Sequence, residues 1–107
     1  MMKYRKGYEF ERKVRKFFES RPNFICTIRS AGSKGLIDLM IMLHGMCYLI
    51  QCKKGKKISK QELLELKALE QHIHSWSDSF QILIAYCADR SHKIEFHNLS
   101  GELQEHF

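Results

Sequence analysis

Leu36-Ile37-Asp38-Leu39-Met40-Ile41-Met42-Leu43, then His44-Gly45, then Met46-Cys47-Tyr48-Leu49-Ile50-Gln51-Cys52-Lys53: the fold of this chain turns on these eighteen residues. Two apolar runs around a short glycine-containing turn predict a β-hairpin. Both runs are apolar at nearly every position, so both faces of the hairpin are expected to be covered by other elements. Charged side chains do not sit in such a hairpin unless they are paired or functional. This one holds Asp38 and Lys53, with Gln51 beside them. If 43 lies opposite 46, then 38 falls opposite 51, which places Asp38 and Gln51 face to face with Cβ atoms ~5 Å apart. Lys53 is two residues further on and points to the same side.

Outward from the hairpin, residues 4–19 read as a helix, because Phe10, Val14, Phe17 and Phe18 form one apolar stripe at helical period. Pro22 ends that pattern, since the residue before a proline avoids helical backbone. Phe24 to Ile28 is a short strand, and residues 30–35 form a loop with two glycines and two serines. After the hairpin come a basic loop at 54–57 and a capping box, Ser59-x-x-Glu62, that opens a helix to about Trp76. Leu63, Leu66, Leu69, Ile73 and Trp76 are expected to be its buried face. Phe80 to Tyr86 reads as a buried strand and Lys93 to Leu99 as a more exposed one. The order α-β-β-β-α-β-β predicts an α/β fold, a mixed central β-sheet flanked by helices, in a single domain over residues 1–107.

With 107 residues and 44% hydrophobic content, the chain can bury a core without metal or disulfide staples. No apolar run approaches the ~18 residues that span a bilayer, and no apolar stretch follows the basic N-terminus as in a secretory signal. Cys26, Cys47, Cys52 and Cys87 include no C-x-x-C pair, so zinc-ribbon and thioredoxin chemistries have no support, and reduced thiols are expected. The net charge of +6 is unevenly placed. Residues 1–21 hold eight Lys/Arg against three acids, and 22–60 hold seven against Asp38 alone. Residues 61–107 reverse this, with three against eight. A basic half of this kind suits an anionic partner, nucleic acid above all. A solvated basic face would look the same.

One more acid belongs with the hairpin. Glu11 borders the apolar stripe of the first helix next to Phe18, whereas Glu9 lies on its far side. Glu, Asp, an amide oxygen and a lysine at a sheet edge suit a hard divalent cation with oxygen ligands, whose bound water hydrolyses phosphodiesters. The competing reading is a structural Asp38–Lys53 pair in a small basic nucleic-acid-binding domain, with Gln51 a bystander. His72 and His74 lie two apart on a helix, face away from each other, and are expected to be exposed and not ligands.

The pattern Asp38…Gln51-Cys52-Lys53 resembles the D…(D/E)-x-K signature of the PD-(D/E)xK nuclease superfamily. Lys6-Gly7-Tyr8-Glu9-Phe10-Glu11-Arg12, followed by Arg29-Ser30-Ala31-Gly32-Ser33-Lys34-Gly35-Leu36-Ile37-Asp38-Leu39, is similar to two segments of the archaeal Holliday junction resolvases. Those segments are the K-G-x-x-x-E-R helix and the R-S-A-G-S-x-G-x-x-D-L stretch. The resemblance runs from residue 6 to about 57. Ile58-Ser59-Lys60-Gln61 is also similar to the virus-type replication-repair nucleases.

The resemblance implies a restriction-endonuclease-like fold and a metal-dependent, structure-selective endodeoxyribonuclease acting on four-way junctions. Mg²⁺, with Mn²⁺ as substitute, would be held by Glu11, Asp38, Gln51 and the backbone carbonyl of Cys52. Lys53 would complete the catalytic set, and Arg29 and Ser30 would sit beside the scissile phosphate. Lys6, Ser33, Lys34, Lys54, Lys56 and Lys57 would join them in contacting DNA. Also implied are branched double-stranded DNA as substrate, a homodimer, no membrane partner, no small-molecule cofactor, and a cytoplasmic location in a prokaryotic or virus-infected cell. Position 51 departs from the pattern, being glutamine where the family has an acid. That substitution leaves open a DNA-junction-binding module with weakened or lost catalysis.

Overall fold

The computed structural model describes residues 2–29 and 35–107, with side chains from residue 8 onward in the first segment. Its elements are α1 (Met2–Glu19), β1 (Phe24–Arg29), β2 (Leu39–Leu43), β3 (Met46–Lys54), α2 (Lys60–His74), β4 (Phe80–Cys87), β5 (Glu95–His97) and β6 (Leu103–Gln104). The strands form a six-stranded sheet in chain order, β1 to β6. Every neighbouring pair is antiparallel except β3 and β4. A parallel pair cannot be joined by a tight turn, and α2 supplies the crossover. The mixed α/β sheet matches the expected class.

The hairpin forms in the register read from the turn, with Leu43 opposite Met46 and Leu39 opposite Ile50. Gly45 takes a φ of +90°, which is open to glycine because it lacks a Cβ. Alternation along β3 then sorts its side chains between two cores. Tyr48 and Ile50 pack with Phe10, Val14 and Phe18 of α1, while Leu49 packs with Leu66 of α2 and with Ile82, Ile84 and Leu99. Both hairpin faces are covered, as expected, and α1 and α2 take opposite sides of the sheet. Phe17, Phe18, Tyr48, Phe96 and Phe107 stack edge and face, closing the α1 side.

Several expectations are corrected. Trp76 is not part of a buried face; it is 87% exposed. Ser75 ends α2: its N–H donates to Gln71 and Ile73 carbonyls and its hydroxyl to His72 O, so the helical phase that buries Leu66 stops short of Trp76. The strand expected from Leu36 begins at Leu39, and the one expected over 93–99 shrinks to Glu95–His97. A two-residue strand, β6, pairs with β5 beyond it. All four cysteines are free, and His72 and His74 are exposed. Among the described residues no helix is long and apolar enough to cross a membrane.

Candidate active site

Asp38 stands at the mouth of the hairpin, one residue before the β2 ladder. Its N–H donates to Ile50 O at 2.8 Å, and its Oδ2 accepts the Cys52 N–H at 2.8 Å. Asp38 therefore does not face Gln51 squarely. A half-buried carboxylate needs a donor, and the Cys52 amide draws it along β3. Burial pushes the Asp38 carboxyl above its usual range, against the Cys52 N–H, which lowers it. Glu11 and Glu62 raise it further, while Lys53 lowers it. These four groups thus share one electrostatic neighbourhood.

Gln51 is 8% exposed, and its Oε1 is buried without a hydrogen-bond partner. An orphaned buried acceptor costs free energy unless something electropositive meets it. By alternation Gln51 and Lys53 project to the α2 side. There Lys53 Nζ donates to Glu62 Oε2 at 2.7 Å. Lys53 first, and then the Ser59 N–H, hold the Glu62 carboxyl below its usual range. Cys52 turns the other way: its thiol packs against the α1 core, and burial pushes it far up, with Asp38 and Glu11 adding to the shift.

Glu11 lies at the rim of α1, as its helical phase predicts, and Glu9 is exposed. The Glu11 carboxylate pairs with Arg29 at 2.9 Å, and the Arg29 guanidinium lies 4.8 Å from the Tyr8 ring centroid. Among the described residues no three His, Cys, Asp or Glu side chains converge closely enough to hold a metal by themselves. By chemistry the residues fit a hard cation: Asp38 and the unpartnered Gln51 oxygen are oxygen donors, and Glu11, here paired with Arg29, is a second carboxylate on the α1 side.

The basic residues divide. Lys56 and Lys57 are exposed on the loop after β3. Lys54 is turned to the side of the sheet away from Lys53, and its ammonium donates to Ser91 O at 3.0 Å and Ala88 O at 3.3 Å. It closes a turn and is not brought to the site. Ser30, Ser33, Lys34 and the Lys6 side chain lie outside the described residues. Glu62 was legible only as a helix cap. The signal for its second role is the short connection, which sets the capping acid of α2 eight residues beyond the end of the strand that carries Lys53.

Comparison with known proteins follows the same lines. The crossover junction endodeoxyribonuclease Hjc of Methanocaldococcus jannaschii is 38% identical over 68 residues, which cover 60% of this chain and 49% of that protein. The match thus spans about half the length of this curated relative. The structure of Archaeoglobus fulgidus Hjc, a Holliday junction resolvase from an archaeal hyperthermophile, superposes with a TM-score of 0.65 at 20% identity. It covers 89% of this chain and 74% of its own, and supports the fold. The archaeal Holliday junction resolvase (Hjc) model matches residues 2–102, nearly the whole length, and the chain belongs to that family.

Proposed function

We propose that this chain is a divalent-metal-dependent endodeoxyribonuclease that nicks branched double-stranded DNA, four-way junctions in particular, by phosphodiester hydrolysis. The observation that carries the reading is the buried, unpartnered Gln51 oxygen, on the strand that carries Lys53 and next in sequence to the Cys52 amide that holds Asp38. Asp38, Glu11 and Gln51 would hold the metal, with the Cys52 carbonyl as a further oxygen. Mg²⁺ is the natural ion for an oxygen set, and Mn²⁺ can replace it. A divalent ion bound there supplies an acidified water and a positive charge beside the phosphate. Lys53 would orient that water or meet charge developing on the phosphate. Arg29, paired with Glu11 in the free protein, would exchange it for a phosphate oxygen, and the exposed Lys56 and Lys57 would bind the DNA backbone. Ser30, Ser33, Lys34 and Lys6 complete the DNA contacts by resemblance.

A homodimer fits this substrate, since paired symmetric nicks need two sites related by a two-fold axis. An enzyme acting on DNA in this way would work in the cytoplasm of a prokaryotic or virus-infected cell. The neutral Gln51 favours a second reading: the same fold binding junctions with weakened catalysis. Labelled four-way junction incubated with Mg²⁺, Mn²⁺ or EDTA separates them. Paired nicks with either metal and none in EDTA are expected. A retarded complex with no nicks under any condition selects the binding module, and neither binding nor nicking removes both. Sedimentation of the free protein and of the complex checks the dimer.

A further inference from the structure

Glu62 joins two structures with one carboxylate. Its Oε1 accepts the Ser59 N–H at 3.1 Å, closing the capping box of α2, while its Oε2 meets Lys53 Nζ at 2.7 Å. The Glu62 backbone N–H returns to Ser59 Oγ at 3.1 Å, so the carboxylate is held in place from the helix side and cannot drift with its long side chain. Lys53 and Glu62 side chains are 21% and 31% exposed, which is sheltered for an ion pair at a strand end. The field of Glu62 also reaches Asp38, where it opposes ionisation together with Glu11.

The charge balance gives this arrangement its meaning. Glu11 and Asp38 are negative, Arg29 and Lys53 are positive, and Gln51 is neutral. Those five residues alone carry no net charge, a poor setting for a divalent cation whose affinity follows the charge of its ligands. Glu62 makes the cluster net negative. It also takes up the charge of Lys53, which would otherwise compete with the cation for Asp38.

We propose that Glu62 is a positioning residue of the metal site: anchored in the helix cap, it holds and neutralises Lys53 and so supplies the negative charge that Gln51 does not. This rests on the metal-dependent reading above. A helix-capping role alone would leave cation affinity unchanged, so the two roles can be separated. Glu62→Gln removes the charge and keeps one side-chain oxygen, enough for the capping box but not for the Lys53 bond as well. Ser59→Ala does the reverse, removing a capping oxygen and leaving the charge.

Mg²⁺ binding to DNA-free protein, measured by isothermal titration calorimetry, is expected to weaken roughly tenfold or more in Glu62→Gln. It should stay within about twofold of the parent in Ser59→Ala, where only the helix end is loosened. The double variant Gln51→Glu, Glu62→Gln moves the charge from the helix to the strand and should recover most of the parent's affinity. Circular dichroism in EDTA confirms that each variant is folded. Unchanged Mg²⁺ affinity in Glu62→Gln, an equal loss in Ser59→Ala, or no recovery in the double variant overturns the proposal. Failure of the parent to bind Mg²⁺ overturns the metal-dependent reading itself.

Discussion

Two carboxylates of the site are displaced in opposite directions, and each sign has a consequence. Asp38 is raised, chiefly by burial, so its protonated form is favoured in the fold. Its ionisation therefore costs stability, which is lost as pH rises through its raised value. Glu62 is lowered, chiefly by Lys53, so its contribution is present at neutral pH and lost as pH falls through its lowered value. Asp38→Asn keeps an acceptor for the Cys52 N–H and removes the buried charge. At neutral pH without metal it is expected to raise the melting temperature by ~2–5 °C while abolishing nicking and sparing junction binding, which rests on phosphate contacts. A melt in EDTA beside gel assays of cleavage and binding checks all three, and undiminished cleavage removes Asp38 from the site. Lys53→Ala should likewise lose cleavage and keep binding. At this scale the sequence showed which polar groups share the hairpin, because charge in an apolar run is conspicuous. It did not show that Lys54 would spend its ammonium on Ala88 and Ser91 carbonyls, since that turn is over thirty residues away and nothing local marks it.

Helix α1 carries a choice between two acids two residues apart, on nearly opposite faces of the helix. Glu11 borders the stripe of Phe10, Val14 and Phe18 and reaches Arg29, whereas Glu9 points to solvent. Glu11→Ala is expected to reduce nicking by a hundredfold or more, of the order seen when a group aimed at developing charge is removed, and Glu9→Ala to change it less than about threefold. Equal losses, read in single-turnover cleavage, would show that helical phase does not assign the acid. Element starts were legible where side chains enforce them: the Ser59-x-x-Glu62 box forms as written and α2 begins at Lys60. Ends were less legible. Helical period alone extends the apolar face to Trp76, but Ser75 bonds back to the helix and stops it. The loss of Leu36–Asp38 from β2 has a similar cause, a side-chain carboxylate competing for a backbone N–H that a ladder would use.

Across the whole molecule, charge and connectivity divide at the same line. The basic residues through Lys60 belong mostly to α1, the hairpin and the loop after β3, while the acidic excess lies in α2 and the strands that follow. Junction binding is therefore expected to weaken steeply with salt. Lys56→Ala and Lys57→Ala should each reduce the slope of log K against log [salt] by about one if each meets a phosphate. A slope unchanged in both variants would place the DNA elsewhere. The class of fold and the hairpin register were readable because they rest on period and turn, which are local. The sixth strand was not, because two residues have no period. The same line has a kinetic meaning. Four of the five strand pairings join neighbours in the chain across short connections, but the parallel β3–β4 seam closes only after α2 has brought Phe80 back beside Cys47. Loop-closure entropy is paid there before the seam returns any contact. Truncating Ile82 or Leu83 on the seam should thus slow refolding, and truncating Phe24, which packs on the core from the β1 edge, should mainly hasten unfolding, a division that the two arms of a chevron plot display.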